Sequence, residues 1–173
     1  MAIVVDAISG ADIANVVNNN IDGALDLSGK RCGEFFEALV ARVGDKKISV
    51  LRIWGHGTTH YASGRDYGKG NMRFVEDEVS DDTLATFEPH IRKLTPLLDT
   101  GSRVEIRGCQ IALGTGEKLM LRLADIWKAE VQGSPRSQPL LSWTPPVKSA
   151  FPGATSLRGA VIIEYNDERY KKR

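Results

Sequence analysis

The chain has 173 residues, of which 42% are hydrophobic and 26% are charged. This length suits one domain with a buried core and is too short for two, so we expect a single domain over residues 1–173. The composition is typical of a globular protein and excludes a disordered or fibrous one. With 23 Lys and Arg against 22 Asp and Glu, the charge is balanced, which argues against a nucleic-acid partner bound through bulk positive charge.

Short apolar runs and few cysteines exclude further classes of protein. Apolar runs such as 2–5 and 160–163 contain only a few residues, whereas a membrane-spanning helix needs about 20, so no membrane partner is expected. Because Asp6 interrupts the first run, we expect no secretory signal and a cytoplasmic location. Cys32 and Cys109 are too few for a disulfide framework and lack the spacing of a zinc or redox motif.

The first elements in chain order are a strand and two helices. A β-branched run at 3–5 predicts a buried strand of a parallel sheet. In the weaker stretch at 10–29, Asp12 is placed to cap a short helix. Apolar residues then recur every three or four positions over 35–43 and predict an amphipathic helix that ends at Gly44.

The next strand ends in a histidine. A β-branched and aromatic run at 48–54 predicts a strand, and the glycines on both sides of His56 predict a tight turn directly after it. The glycine-rich residues 58–71 are predicted to form an exposed loop.

Residues 80–83 offer helix-capping side chains for the segment that follows. Pro89 predicts a break at Glu88-Pro89 between two short helices, because a proline in a helix interior removes a hydrogen bond. The second of these helices is expected to carry Ile91, Leu94 and Leu98.

The following strand ends in a cysteine. Alternation over 103–107 predicts a strand that leads directly to Gly108 and Cys109. An amphipathic helix is then expected from about Thr115-Gly116 to before Gly133. Frequent prolines exclude regular structure over most of 134–153, and a final strand is predicted at 160–165.

Strands that alternate with helices predict an α/β domain with a mostly parallel sheet and helices on both faces. In such sheets, functional sites lie at the carboxyl ends of the strands, where both His56 and Cys109 fall. Roughly fifty residues separate the two, which fits one crossover between neighbouring parallel strands.

A cysteine nucleophile needs a nearby base, because a free thiol has a pKa of about 8.5 and is only slightly ionised at neutral pH. His56 is the candidate base for Cys109. The backbone amides of Gly57 and Cys109 are candidates for an oxyanion hole, and Gly57 is expected to leave room for substrate to approach its amide.

These motifs resemble those of a known family. A strand that ends in His-Gly at 51–57, followed by one that ends in Gly-Cys at 104–110, is similar to the caspase-like cysteine peptidases of clan CD. Within this family, the motifs are most similar to those of the self-cleaving protease domains of bacterial toxins and of a caspase-like domain of large bacterial surface proteins. The resemblance covers roughly residues 48–132.

The resemblance implies a three-layer fold and a His-Cys dyad that needs no cofactor and no metal. By position, His56 is the general base or acid, Cys109 the nucleophile, and Gly57 and Cys109 the source of the oxyanion hole. The chain departs from the caspase pattern at Arg107, where caspases have a glutamine that lines the substrate pocket. It also departs in its first half, where only 10–29 is available for a further parallel strand.

Charged residues share one face of the two strands. Because alternate residues of a strand point to the same face, we expect Arg52 to lie beside Glu105 and Arg107. The two arginines exceed the one carboxylate, so an additional anion is expected near them. One reading is a structural Arg-Glu network. The other is that Arg107, with Arg52 beside it, binds an acidic side chain or carboxylate of the substrate next to the cleaved bond.

The sequence thus predicts a cysteine endopeptidase that cleaves a polypeptide substrate through a thioester acyl-enzyme, with walls of its groove at 58–71 and 134–153. The alternative is an inactive caspase-like binding or assembly module, because fold does not settle activity. A thiol hydrolase of esters or small amides shares the same dyad. The sequence leaves an activator or partner protein unknown.

Overall fold

The computed structural model describes residues 2–57, 69–139, 141–143 and 145–160. Its strands are β1 (Ile3–Ile8), β2 (Leu25–Asp26), β3 (Ile48–Trp54), β4 (Met72–Arg73), β5 (Glu78–Val79), β6 (Leu98–Arg107), β7 (Glu130–Gly133), β8 (Lys148–Ala150) and β9 (Arg158–Gly159). Its helices are α1 (Ala11–Asn20), α2 (Cys32–Val43), α3 (Leu84–Ile91) with a 3-10 turn at Arg92–Leu97, and α4 (Gly116–Trp127).

The centre of the fold is a seven-stranded sheet in the order β2-β1-β3-β6-β7-β8-β9. The strands from β2 to β7 pair in parallel, and β8 and β9 pair antiparallel at one edge. Helical crossovers connect the successive parallel strands, as parallel pairing requires. The strands β4 and β5 form a separate antiparallel pair.

Helices cover both faces of this sheet. On one face, α1 packs Ile13 and Val17 against Ile8 of β1 and Trp54 of β3. On the other face, α2, α3 and α4 bury a larger cluster together with strand residues such as Ile53. Successive residues of one strand therefore enter different layers, and the mixed α/β, three-layer architecture with a mostly parallel sheet is confirmed.

The larger cluster depends on aromatic contacts between elements that are distant in sequence. Phe35 of α2 lies with its ring centre 5.0 Å from that of Phe74, in an edge-to-face arrangement. Phe36 lies 6.3 Å from Trp127 of α4. All four rings are buried, so they connect α2 and α4 to the turn after β4.

The predicted amphipathic helix at 35–43 is confirmed within α2. It ends at Gly44, where φ is +61° and the amide donates to the carbonyl of Val40. The helix begins earlier than the apolar pattern indicates, at Cys32, because the Glu34 carboxylate accepts the amide of Arg31 at 3.1 Å and satisfies the helix start.

The predicted helix break at Glu88-Pro89 is wrong. Pro89 lies inside α3, which continues to Ile91 before the chain tightens into the 3-10 turn. Leu84 and Ile91 are fully buried on one face, and this packing holds the helix together although Pro89 removes one hydrogen bond. Leu98 begins β6 instead of ending a helix.

Several strands differ from the sequence pattern. β1 continues past Asp6 to Ile8, because the buried Asp6 has an ionic partner on β3. The short strands β2, β7 and β8 were not predicted, and β2 supplies the further parallel strand that only 10–29 could hold. The predicted strand at 160–165, beyond its first residue, and residues 58–68 of the predicted loop lie outside the described residues.

Among the described residues, no helix has both the length and the apolar composition needed to cross a membrane.

Candidate active site

The sheet brings His56 and Cys109 to the same edge. β3 and β6 are adjacent and parallel, and Trp54 pairs in register with Arg107. His56 and Cys109 each follow two residues later, so both leave the sheet together. They line one cavity of about 270 Å³. The predicted placement of the two residues at adjacent parallel strand ends is therefore confirmed.

Glycines allow the two turns to touch. A Cβ atom at Gly57 would overlap the carbonyl oxygen of Cys109, and one at Gly108 would lie 3.0 Å from the Gly57 nitrogen. The Cys109 carbonyl fills the space on the Cβ side of Gly57, and the expectation that Gly57 leaves room for substrate to approach its amide stays a prediction. Glycine is needed at Gly57 for close packing of backbone on backbone.

The two amides expected to form an oxyanion hole differ in position. Cys109 lines the cavity, whereas Gly57 is buried next to it and is not part of the lining. Within the described ranges, neither amide donates to a protein acceptor. Both remain candidate donors to a substrate oxygen, with Cys109 the better placed.

His56 has a partner that sequence reasoning did not assign to it. Its Nε2 atom lies 2.7 Å and 2.8 Å from the two carboxylate oxygens of Asp12. Asp12 does not cap α1, whose N-cap is Gly10; it lies in the first turn and contacts the histidine instead. The contact forms because β1 is the neighbour of β3, which places the start of α1 beside the end of β3.

The hydrogen bond from His56 holds the pKa of Asp12 below its ordinary value of 3.8. Asp12 therefore stays ionised at neutral and weakly acidic pH, and the pair is lost only as the pH falls through that lowered value. An ionised carboxylate only accepts hydrogen bonds, so the proton between the two groups is on Nε2. The other ring nitrogen, Nδ1, is then the site on a neutral His56 that can accept a proton.

The sulfur of Cys109 contacts the segment after β7. The Gln138 amide donates to Cys109 Sγ at 3.3 Å, and the Gln138 carbonyl oxygen lies 3.8 Å from the same atom. Gln110 donates to the carbonyl of Arg136 at 3.0 Å, and Ala112 to that of Ser134 at 3.0 Å. The segment therefore runs antiparallel to the chain that follows Cys109.

This segment forms one wall of the cavity. Gln138, Pro139, Ser142 and Trp143 all line it, which confirms the predicted wall for part of 134–153. The expected second wall at 58–71 lies mostly outside the described residues.

The charged residues of β3 and β6 lie together on one face of the sheet, as the alternation of side chains along each strand predicts. Glu105 accepts from Arg103 at 2.9 Å, lies 3.4 Å from Arg52, and binds Arg107 through two of its guanidinium nitrogens. Asp6 on β1 supplies a second anion, 3.5 Å from Arg52. Sequence reasoning missed this role of Asp6, because the local pattern indicates only the end of a strand there.

The two arginines expected to bind substrate lie in different places. Arg107 lines the cavity, and its guanidinium lies 4.0 Å from the ring centre of Trp143 and 5.3 Å from that of Trp54. Arg52 is 0% exposed and is not part of the lining, so its expected contact with substrate is wrong. Asp6 and Glu105 hold the Arg52 guanidinium within the layer that covers the sheet.

The second cysteine has a different environment. Cys32 is 0% exposed at the start of α2. Burial, followed by the nearby Asp77 carboxylate, raises the pKa of its thiol to about 12. Cys32 is therefore a core residue, whereas Cys109 is half-buried at the cavity.

Comparison with known families finds no matching family model, and comparison with curated proteins finds no match either. The assignment of a function rests on the geometry of this site.

The first prediction concerns the two thiols. Iodoacetamide should alkylate Cys109 in the native protein at least about tenfold faster than Cys32, because a buried thiol with a raised pKa has neither access nor thiolate. Mass spectrometry of the digested protein measures both rates. The Cys109→Ala variant should take up no label until it is denatured, and labelling of native Cys32 at a comparable rate would contradict the assignment.

Proposed function

We propose that this protein is a cysteine endopeptidase of the caspase-like kind. The observation that carries the proposal is that adjacent parallel strands deliver His56 and Cys109 to one cavity, with the histidine ring held by Asp12. A nucleophile, a base and a group that orients the base are the set that acyl transfer requires.

The reaction begins when His56 accepts the thiol proton and the Cys109 sulfur attacks a peptide carbonyl carbon. The carbonyl oxygen becomes negative and accepts hydrogen bonds from the Cys109 and Gly57 amides. The C–N bond then breaks, and His56 returns the proton to the leaving amine. Water, deprotonated by His56, attacks the thioester, which releases the carboxylic acid and restores the thiol.

In this reaction Asp12 acts through His56. Its carboxylate binds Nε2–H, which keeps Nδ1 as the nitrogen that exchanges the proton. The negative charge also stabilises the imidazolium that forms when the thiol is ionised. Because the Asp12 side chain is 70% exposed, water screens this interaction more than it would in a buried triad.

The second prediction tests the activity itself. The wild-type chain should cleave members of a peptide library, or its own chain, and Cys109→Ala should abolish cleavage, because the variant lacks the sulfur that forms the thioester. His56→Ala should lower the rate by about 100-fold or more. Mass spectrometry of the fragments detects the cleaved bonds.

Other outcomes of that experiment support the alternatives. Cleavage of thioesters or small amides without cleavage of peptides would indicate a thiol hydrolase. Folded wild-type protein that cleaves nothing would contradict the proposal in favour of a binding or assembly module. Peptide cleavage that persists in Cys109→Ala would show that Cys109 is not the nucleophile of that reaction.

The third prediction concerns Asp12. Asp12→Asn should lower kcat by about 10- to 100-fold with little change in KM, because the variant keeps the size of the side chain but loses orientation and charge at the histidine. Asp125→Asn is the matched control, since this carboxylate lies on α4, accepts the Gly153 amide at 2.7 Å and is not part of the cavity lining. Equal kcat values for both variants would show that Asp12 does not assist His56.

We further propose that Arg107 binds an acidic side chain or carboxylate next to the cleaved bond. The single carboxylate of Glu105 is shared among Arg52, Arg103 and Arg107, so it neutralises the Arg107 guanidinium only in part. Stacking against Trp143 holds the plane of the guanidinium beside the cavity. A fixed guanidinium offers a carboxylate the paired donors that it prefers.

The fourth prediction tests this preference. Arg107→Gln should reduce kcat/KM for cleavage after Asp or Glu by about 10- to 100-fold, and cleavage after uncharged residues much less, because only an acidic side chain loses a charged hydrogen bond. Arg103→Gln is the matched control, since Arg103 binds the same Glu105 but does not line the cavity. Equal losses across substrates, or a wild-type preference for Lys or Arg, would show that Arg107 does not read the substrate.

A further inference from the structure

A second cavity lies on the other side of the histidine. It has a volume of about 230 Å³ and shares only His56 and Asp12 with the cavity that contains Cys109. The pair formed by these two side chains therefore borders both spaces. We name the second one the histidine-side cavity.

The walls of the histidine-side cavity are fixed by backbone hydrogen bonds. Ser9, in the turn before α1, donates its amide to the Trp54 carbonyl at 2.7 Å. Across the cavity, the Arg73 amide binds the His56 carbonyl at 3.1 Å. A Cβ at Gly10 would lie 3.3 Å from the His56 ring, so the Gly10 backbone lies close to the ring.

Phe74 and Val75 contribute apolar side chains to the lining, together with the polar Ser28 and Arg73. Phe74 is 5% exposed and belongs to the aromatic cluster of the core, whereas Val75 is 52% exposed. Val75 and Phe151 are the large hydrophobic side chains exposed to solvent among the described residues. An exposed valine at the edge of a cavity offers an apolar contact that nothing in the described part of the chain covers. The charged side chains that face this space are Asp12 and Arg73.

From this arrangement we infer that the histidine-side cavity binds the residue that follows the cleaved bond and prefers an aliphatic side chain there. The inference rests on the proposed function. In that reaction the acyl half of the substrate stays on Cys109, while the half that leaves takes its proton from His56. The leaving half must therefore pass the His56 ring, and the space next to that ring and away from Cys109 is the histidine-side cavity.

The lining of the histidine-side cavity determines which substrate side chain it prefers. An aliphatic side chain covers Val75 and gains the apolar contact, whereas glycine at the same substrate position leaves Val75 in water. Binding of this side chain also positions the scissile nitrogen beside His56, so the preference is expected in kcat/KM and not in binding alone.

The experiment uses internally quenched peptides that differ only in the residue after the cleaved bond, leucine or glycine. The wild-type protein should cleave the leucine peptide with a kcat/KM about tenfold higher. In Val75→Ser this leucine-to-glycine ratio should fall to about one. The ratio is measured within each variant, so a general loss of activity or of folded protein does not alter it.

Phe151→Ser is the matched control, because it removes the other exposed hydrophobic side chain, directly after β8 and three strands away from β3. It should keep the wild-type ratio. A ratio near one in the wild type, or a ratio that Val75→Ser leaves unchanged, would overturn the inference while leaving the peptidase proposal intact. A failure to cleave either peptide in a Cys109-dependent way would overturn the proposed function and the inference with it.

Discussion

The contact between the Gly57 turn and the Cys109 carbonyl controls the geometry of the whole site. A side chain at Gly57 would overlap that carbonyl, so the two turns reach their present separation only because the residue is glycine. β3 and β6 pair in register up to Trp54 and Arg107, and the contact extends this pairing beyond the last ladder residues. As a result, His56 and Cys109 start from backbone that is fixed on both sides. This is the form of rigidity that positioned chemical groups require.

A buried ionic network connects the same strands on the face of the sheet that α1 covers. Arg52 on β3 lies between Asp6 on β1 and Glu105 on β6. Burying such charges costs solvation energy that good geometry only partly returns, so the network is weak evidence for stability. Its clearer effect is to fix the position of Arg107, which binds Glu105 and lines the cavity.

The chain uses the turn after β1 for two purposes. The start of α1 places Asp12 on His56, and the preceding Ser9 and Gly10 form part of a second cavity beside the same ring. The histidine therefore borders two spaces, one with the sulfur and one without it. In a hydrolase that holds the acyl half of its substrate and releases the other half, one space can hold the acyl half and the second can hold the half that leaves.

Local patterns determined much of the fold and the two central residues of the site. The apolar period of α2, its end at Gly44 and the strand that precedes His56 follow from spacing and glycine chemistry, which act over a few residues. The crossover length between His56 and Cys109 was also readable, because parallel neighbours need a connection of that kind.

Only the tertiary structure decided which distant groups meet. Asp6 reads as the end of a strand until Arg52 lies beside it, and Asp12 reads as a helix cap until the neighbouring strand brings His56 into reach. Pro89 reads as a helix break until the burial of Leu84 and Ile91 outweighs its lost hydrogen bond. The physical reason is the same in each case. A local pattern reflects the energy of a segment alone in water, whereas ion pairs and core packing depend on partners that the order of the strands selects.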